Sequence, residues 1–160
     1  MNRNGWISKF AIFVIAPLAI AAFSPSPQDT ESRVEALLAR MTLEEKIGQL
    51  VQYSGINDKY RLMIRQGGIG SLLNVTGAAA ANAAQQIAVK ESRLGIPLLL
   101  GLDVIHGYRT IFPIPLAEAS SWDPSLVEKA ARIAAKEAAA AGVRWTFAPM
   151  VDIARDPRWG

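Results

Sequence analysis

Leu98-Leu99-Leu100-Gly101-Leu102-Asp103 is the stretch on which the fold turns. Its apolar residues are consecutive rather than alternating, so the strand they predict is buried on both faces, and it stops at a carboxylate. Immediately upstream, Gly95-Ile96-Pro97 ends an alanine-rich stretch, residues 77–92 with Ile87 and Val89, that reads as a helix. Before that helix, Gly67-Gly68-Ile69-Gly70-Ser71-Leu72-Leu73-Asn74 reads as a turn entering another short buried strand. Downstream, a loop containing Phe112-Pro113-Ile114-Pro115 leads to Asp123-Pro124, an N-cap with proline at the first helical position. The helix it opens runs from about Ser125 to Ala141 and is ended by Gly142. Trp145-Thr146-Phe147-Ala148-Pro149-Met150-Val151 is a further strand and stops at Asp152.

Strand, helix, strand, helix, strand, with the strands apolar on both faces, predicts an α/β class with a parallel sheet covered by helices. A dinucleotide-binding, doubly wound sheet needs G-x-G-x-x-G between a strand and its helix. Gly68-Ile69-Gly70 is the only approach to that pattern; it precedes its strand and lacks the third glycine. The alternative is a closed barrel, and a complete one takes about 250 residues. The chain has 160. The fold expected is therefore the N-terminal portion of a (β/α)8 TIM-like barrel, incomplete in this chain, because a three-stranded sheet with an open edge leaves backbone groups unpaired.

Ahead of the sheet, a helix is expected from Asp29 or Thr30, with Val34, Leu37, Leu38 and Met41 as its buried stripe. Thr42-Leu43-Glu44-Glu45 has the form of a capping box and opens a second helix, with Leu43, Ile47, Leu50 and Val51 inward. Gly48 inside that helix points to something packed closely against it. Residues 1–24 read as an export signal, with Arg3 and Lys9 before an apolar run from Phe10 to Phe23. A membrane span needs roughly 20 apolar residues, and Pro17 interrupts this run, so no membrane attachment is expected after cleavage. Residues 25–31 form a Pro/Ser linker, and residues 32–160 the first part of the barrel domain.

Composition closes off several chemistries. The chain has no cysteine and one histidine, His106. That removes disulfide frameworks, thiolate metal sites, cysteine nucleophiles and any metal site needing two histidines. No cofactor or metal is expected. The formal net charge is +3, and without Arg3 and Lys9 the chain is close to neutral. It offers no clustered basic surface for nucleic acid.

Carboxylate chemistry remains. Asp103 and Asp152 each follow an apolar strand, which in a parallel barrel is the rim where active sites assemble. There they can act as acid, base, nucleophile or acceptor for sugar hydroxyls; strand-end aspartates also cap turns with no other role. His106 has no G-x-S-x-G serine to serve, and a hydrogen bond tying its own loop together is the expected role. Arg109, Arg155 and Arg158 are candidates to pair with Asp103, Asp152 or Asp156. Trp122, Trp145 and Trp159 offer faces to a sugar ring or packing to a core, and the position of Trp145 within a strand favours core.

Four stretches then combine. Arg40-Met41-Thr42-Leu43-Glu44-Glu45-Lys46-Ile47-Gly48-Gln49-Leu50, Gly101-Leu102-Asp103-Val104-Ile105-His106-Gly107, Phe112-Pro113-Ile114-Pro115-Leu116 and the segment from Ala148 through Met150, Asp152 and Arg155 to Gly160 occur in that order. Together they resemble glycoside hydrolase family 3, most closely its bacterial periplasmic β-glucosidase branch. The resemblance implies an N-terminal (β/α) barrel followed by a smaller α/β sandwich domain. It also implies retaining, exo-acting hydrolysis of β-linked oligosaccharides or aryl glycosides, without a metal, and location in the periplasm or secretion. It assigns Asp103 to hydroxyls of the sugar beside the scissile bond. His106 and Asp152 match recurrent family positions without a catalytic role, and Arg158 matches a loop-forming residue. The family's sugar-binding arginine, Lys-His pair, nucleophile and acid/base residue fall beyond Gly160, so the resemblance places no catalytic residue in this chain. A β-N-acetylglucosaminidase is the enzymatic alternative; a non-catalytic fragment or weak sugar binder is the alternative from another class. Oligomeric state is left open.

Overall fold

A computed structural model of the protein describes residues 27–150 together with 155, 156 and 158. Residues 1–24, read above as an export signal, and Val151, Asp152 and Trp159 lie outside the described residues. The first unit, residues 1–36, contributes most of α1 (Pro27–Leu38). This helix starts inside the stretch read as a linker, with proline at its first position and Asp29 in its first turn, both favourable at a helix N-terminus. The expected stripe is buried only at its end: Val34 and Leu38 are exposed and Leu37 is half-buried, whereas Met41, just past the helix, is buried. Periodicity gives a helix a face that can be buried; it does not supply the surface to bury it against.

The second unit, residues 37–160, carries the sheet. It opens with α2 (Leu43–Gln49), where both halves of the capping box form. Glu45 N–H donates to Thr42 Oγ1 at 3.2 Å, and Thr42 N–H donates to Glu45 Oε2 at 2.9 Å. The burial of α2 differs from the sequence reading. Leu43, Ile47 and Leu50 are exposed, whereas Met41, Glu45 and Gly48 are buried. The cause is Gly48: a Cβ there would lie 2.0 Å from the carbonyl oxygen of Gly67. The bare backbone of that face lets the helix lie against the 67–68 turn, and the leucine face rotates away.

The remaining elements are β1 (Gln52–Ser54), α3 (Asp58–Arg65), β2 (Ser71–Leu73), α4 (Ala78–Gln86) continued by a π-helical turn (Ile87–Glu91), β3 (Leu99–Leu102), α5 (Pro115–Ala119), α6 (Pro124–Ala140) and β4 (Trp145–Thr146). The sheet has four strands rather than three, ordered β1-β2-β3-β4, and every pair is parallel. β1 and α3 are additions to the sequence reading. Strand order that follows chain order without reversal is that of a barrel; a doubly wound sheet reverses at its switch point. β4 is shorter than expected, pairing only Trp145 and Thr146. Trp145 is 40% exposed and lies against Phe147 with ring centroids 4.9 Å apart, so it is not a core residue.

The sheet separates two environments. Leu72 and Leu100 sit in one row, and both are fully buried beside Ile64, Ile69, Ala81, Ala84, Ile87 and Leu98. The opposite face carries Leu73, Leu99, Gly101 and Trp145, among which Leu99 and Trp145 are exposed. A second cluster joins Val104 and Val143 to Ala134 and Ala138 on α6. The helix boundaries read from Asp123-Pro124 and Gly142 hold: Asp123 accepts from Ser125 and Leu126 N–H, and Gly142 has φ +92°.

Candidate functional site

Because all four strands run the same way, their C-terminal ends share one edge of the sheet. Ser54, Leu73, Gly101 and Trp145 lie in a single row, and Leu102 pairs with Thr146 one step further on. Asn74 follows Leu73, with φ +62°; its N–H donates to Gly101 O at 3.1 Å and its Nδ2 to Ser54 Oγ at 3.0 Å. Asp103 follows Leu102 directly, two positions beyond Gly101 and on the side of the strand alternation opposite Leu100. It is exposed, and among the described residues its carboxylate engages no hydrogen bond or ion pair. An unpaired carboxylate at this rim is free to accept from ligand hydroxyls.

The backbone after Asp103 is tightly specified. Val104 has φ +50°, a left-handed conformation that a β-branched residue seldom adopts, and it is buried. His106 Nδ1 lies 3.0 Å from Phe112 O, and Phe112 N–H donates to His106 O at 2.8 Å. The expected loop-tying role of His106 is therefore what its ring performs. Gly107 and Ile111 form an isolated antiparallel bridge between these closures. Arg109 is not paired with Asp103: its backbone N–H donates to Glu137 Oε2 at 2.9 Å, beside Thr110 N–H at 2.8 Å, while Thr110 Oγ1 donates to Oε1 at 2.7 Å. These bonds, those of Thr110 foremost, hold the Glu137 carboxyl below the usual carboxylate range.

Arg158 pairs with Asp156, its Nε 2.9 Å from Oδ1 and its backbone N–H 3.0 Å from the same oxygen, and this lowers the Asp156 carboxyl. That is a closure within its own loop, as the sequence suggests. Asp152 lies outside the described residues, so the structure gives it no place relative to Asp103. Trp122 is 93% exposed with φ +55°. A cleft of about 340 Å³ lies between the loop at Val104–Gly107, α5, α6 and Ala148–Met150. Ala130, Ala131, Ala134 and Ala135 of α6 line one side of it and Thr146 of the rim another; Asp103 is not among its lining residues. No group of three potential metal-ligating side chains forms among the described residues. Glu137 and the Ser54–Asn74 pair went unread in the sequence: one of two glutamates in an alanine-rich helix carries no signal of its own, and its partners lie 27 and 28 residues away.

Residues 42–160 match the glycosyl hydrolase family 3 N terminal domain. A periplasmic beta-glucosidase of Salmonella typhimurium is 42% identical over 84% of this chain and 18% of its own length. A beta-xylosidase of Formosa agariphila is 31% identical over 86% of this chain and 16% of its own. The crystal structure of a Listeria innocua beta-glucosidase in complex with glucose superposes with a TM-score of 0.71 at 40% identity, covering 81% of this chain and 20% of that one. The chain thus spans about a fifth of the length of the relatives it matches. From its parallel sheet and from these likenesses, the chain belongs to glycosyl hydrolase family 3, through the N-terminal domain of that family.

Proposed function

We propose that this chain supplies the N-terminal barrel segment of an exported enzyme that removes the non-reducing-end sugar from β-linked oligosaccharides or aryl β-glycosides with retention of configuration. The observation that carries the proposal is Asp103, an exposed carboxylate without a partner among the described residues, at the C-terminal end of a buried parallel strand. In this reading Asp103 accepts hydrogen bonds from hydroxyls of the sugar next to the scissile bond. A carboxylate nucleophile forms the glycosyl-enzyme, a second carboxyl protonates the leaving oxygen, and water then releases the sugar; both groups lie beyond Gly160. Residues 1–24 serve as the export signal and residues 32–160 as the first part of the barrel domain, with the 25–31 segment between them. Likeness to relatives named as periplasmic supports export.

The test is Asp103→Ala in the complete protein, with 4-nitrophenyl β-glucoside and β-xyloside as substrates. Hydrogen bonds to a charged group contribute about 1.5–3 kcal/mol each. Losing two lowers kcat/KM by about 10²- to 10⁴-fold. A variant that folds as the wild type does and keeps normal kcat/KM overturns the assignment.

A further inference from the structure

Asp103 has no side-chain partner of its own among the described residues, so the backbone that follows it sets its direction. That backbone is held at three places. Val104 is buried in left-handed geometry within the cluster of Ala134, Ala138 and Val143, a conformation that persists only where the surroundings over-determine it. His106 and Phe112 close the loop with two hydrogen bonds. Glu137 takes three donors from the far side of the same loop, using both carboxylate oxygens.

The helix is built for this contact. Ala130, Ala134 and Ala138 form a buried stripe at spacing i, i+4, i+8, and its Ala134–Ala138 end packs against Val104, so small side chains let the start of the loop lie close to α6 there. Glu137 stands beside that stripe and is the one acidic side chain of α6 bonded to the loop among the described residues. Both backbone N–H groups go to one carboxylate oxygen and the Thr110 hydroxyl to the other; because a hydroxyl also accepts, a glutamine amide can reproduce this set, and an aliphatic side chain is the change that removes the clamp.

We infer that Glu137 is a positioning residue for sugar recognition: by clamping residues 109–110 to α6 it fixes the loop that begins at Asp103, and with it the direction of the Asp103 carboxylate. The inference rests on the proposed role of Asp103 in sugar binding. Glu137 touches no substrate in this arrangement and acts through Asp103 alone.

The experiment is a double-mutant cycle in the complete protein with Glu137→Leu, which removes all three acceptor contacts, Asp103→Ala and the pair. The substrate is 2,4-dinitrophenyl β-glucoside, whose good leaving group keeps weak variants measurable. Misplacement of a binding group by a fraction of an ångström to an ångström predicts a roughly 10- to 100-fold loss of kcat/KM for Glu137→Leu. On the Asp103→Ala background the same change costs less than about twofold, because the residue it orients is gone. Equal losses on both backgrounds, or a lowered Tm with unchanged kcat/KM, overturn the inference and leave Glu137 a structural clamp. Normal activity in Asp103→Ala alone overturns the site reading, and the inference falls with it. Should Glu137→Leu fail to fold, Thr110→Val, which deletes only the hydroxyl contact, runs through the same cycle with a smaller loss expected in the same pattern.

Discussion

Gly48→Ala tests whether the contact that orients α2 is as tight as the structure shows. Helix propensity alone predicts that alanine stabilises this position by about 1 kcal/mol. The structure predicts the opposite sign. A Cβ at residue 48 would sit 2.0 Å from Gly67 O, 2.8 Å from Gly68 Cα and 3.0 Å from Gly67 C. All three are backbone atoms, so no rotamer change relieves the clash, and a normal contact requires a retreat of more than about 1 Å. The turn cannot retreat freely. Gly67 N–H donates to Ile64 O at 3.0 Å, Gly68 N–H to Met63 O at 2.9 Å and Ser71 N–H to Val51 O at 3.2 Å. The helix is tied down too, because Glu45 bonds Thr42 on one side and Arg93 on the other. Overpacking a rigid site costs about 1–3 kcal/mol. Loss of one or two of the turn's hydrogen bonds adds about 1 kcal/mol each. After the propensity gain, Gly48→Ala should destabilise by about 1–4 kcal/mol. Urea unfolding followed by tryptophan fluorescence in the complete protein reads it, with amide exchange in α2 reporting the local event. A variant as stable as the wild type, or more so, refutes the reasoning.

Two further outcomes follow from the packing and the charges. Leu100→Ala, at a side chain 1% exposed, should cost about 2–5 kcal/mol, whereas Leu99→Ala, one residue away and 52% exposed, should cost well under half of that in the same unfolding assay. Arg93 holds the Glu45 carboxyl below its ordinary value of 4.5, with the Thr42 N–H adding to the effect. A carboxyl lowered in the folded state contributes stability that is complete above its unfolded pKa and disappears as pH falls through the folded one. The stability difference between wild type and Arg93→Gln should therefore be full near neutrality and shrink below pH 4.5. A difference that stays constant across that range would remove the Glu45–Arg93 pair as its source.

What was legible in the sequence was what neighbours along the chain decide. The Thr42–Glu45 capping box and the Asp123-Pro124 helix start are closed by atoms three or fewer residues apart, and both formed as read. The place of Asp103 at a strand end was legible for a related reason: a continuous apolar strand announces both its burial and its end. β1 was not, because Gln52-Tyr53-Ser54 shows no apolar run; its place in the sheet comes from backbone pairing with β2, which composition does not record. The face of α2 was misread because apolar periodicity favours Leu43 and Ile47, while the inward side is chosen by the fit of bare Gly48 backbone to a turn nearly 20 residues on.

Glu137 shows why a site is harder to read than a fold. A strand needs many residues of one kind in a row, so its signal is redundant. A carboxylate that accepts from Arg109 and Thr110 needs one residue in one place, and 27 residues separate it from Thr110. The geometry that makes it matter exists only after β3 and α6 have packed through Val104 and Ala134. The order of dependence is physical: alanine spacing on α6 permits the close approach, the approach brings three donors to one side chain, and only then does Glu137 differ from any other polar residue on that helix. The residues that orient Asp103 are therefore those whose function appears last, after secondary structure and packing are both in place.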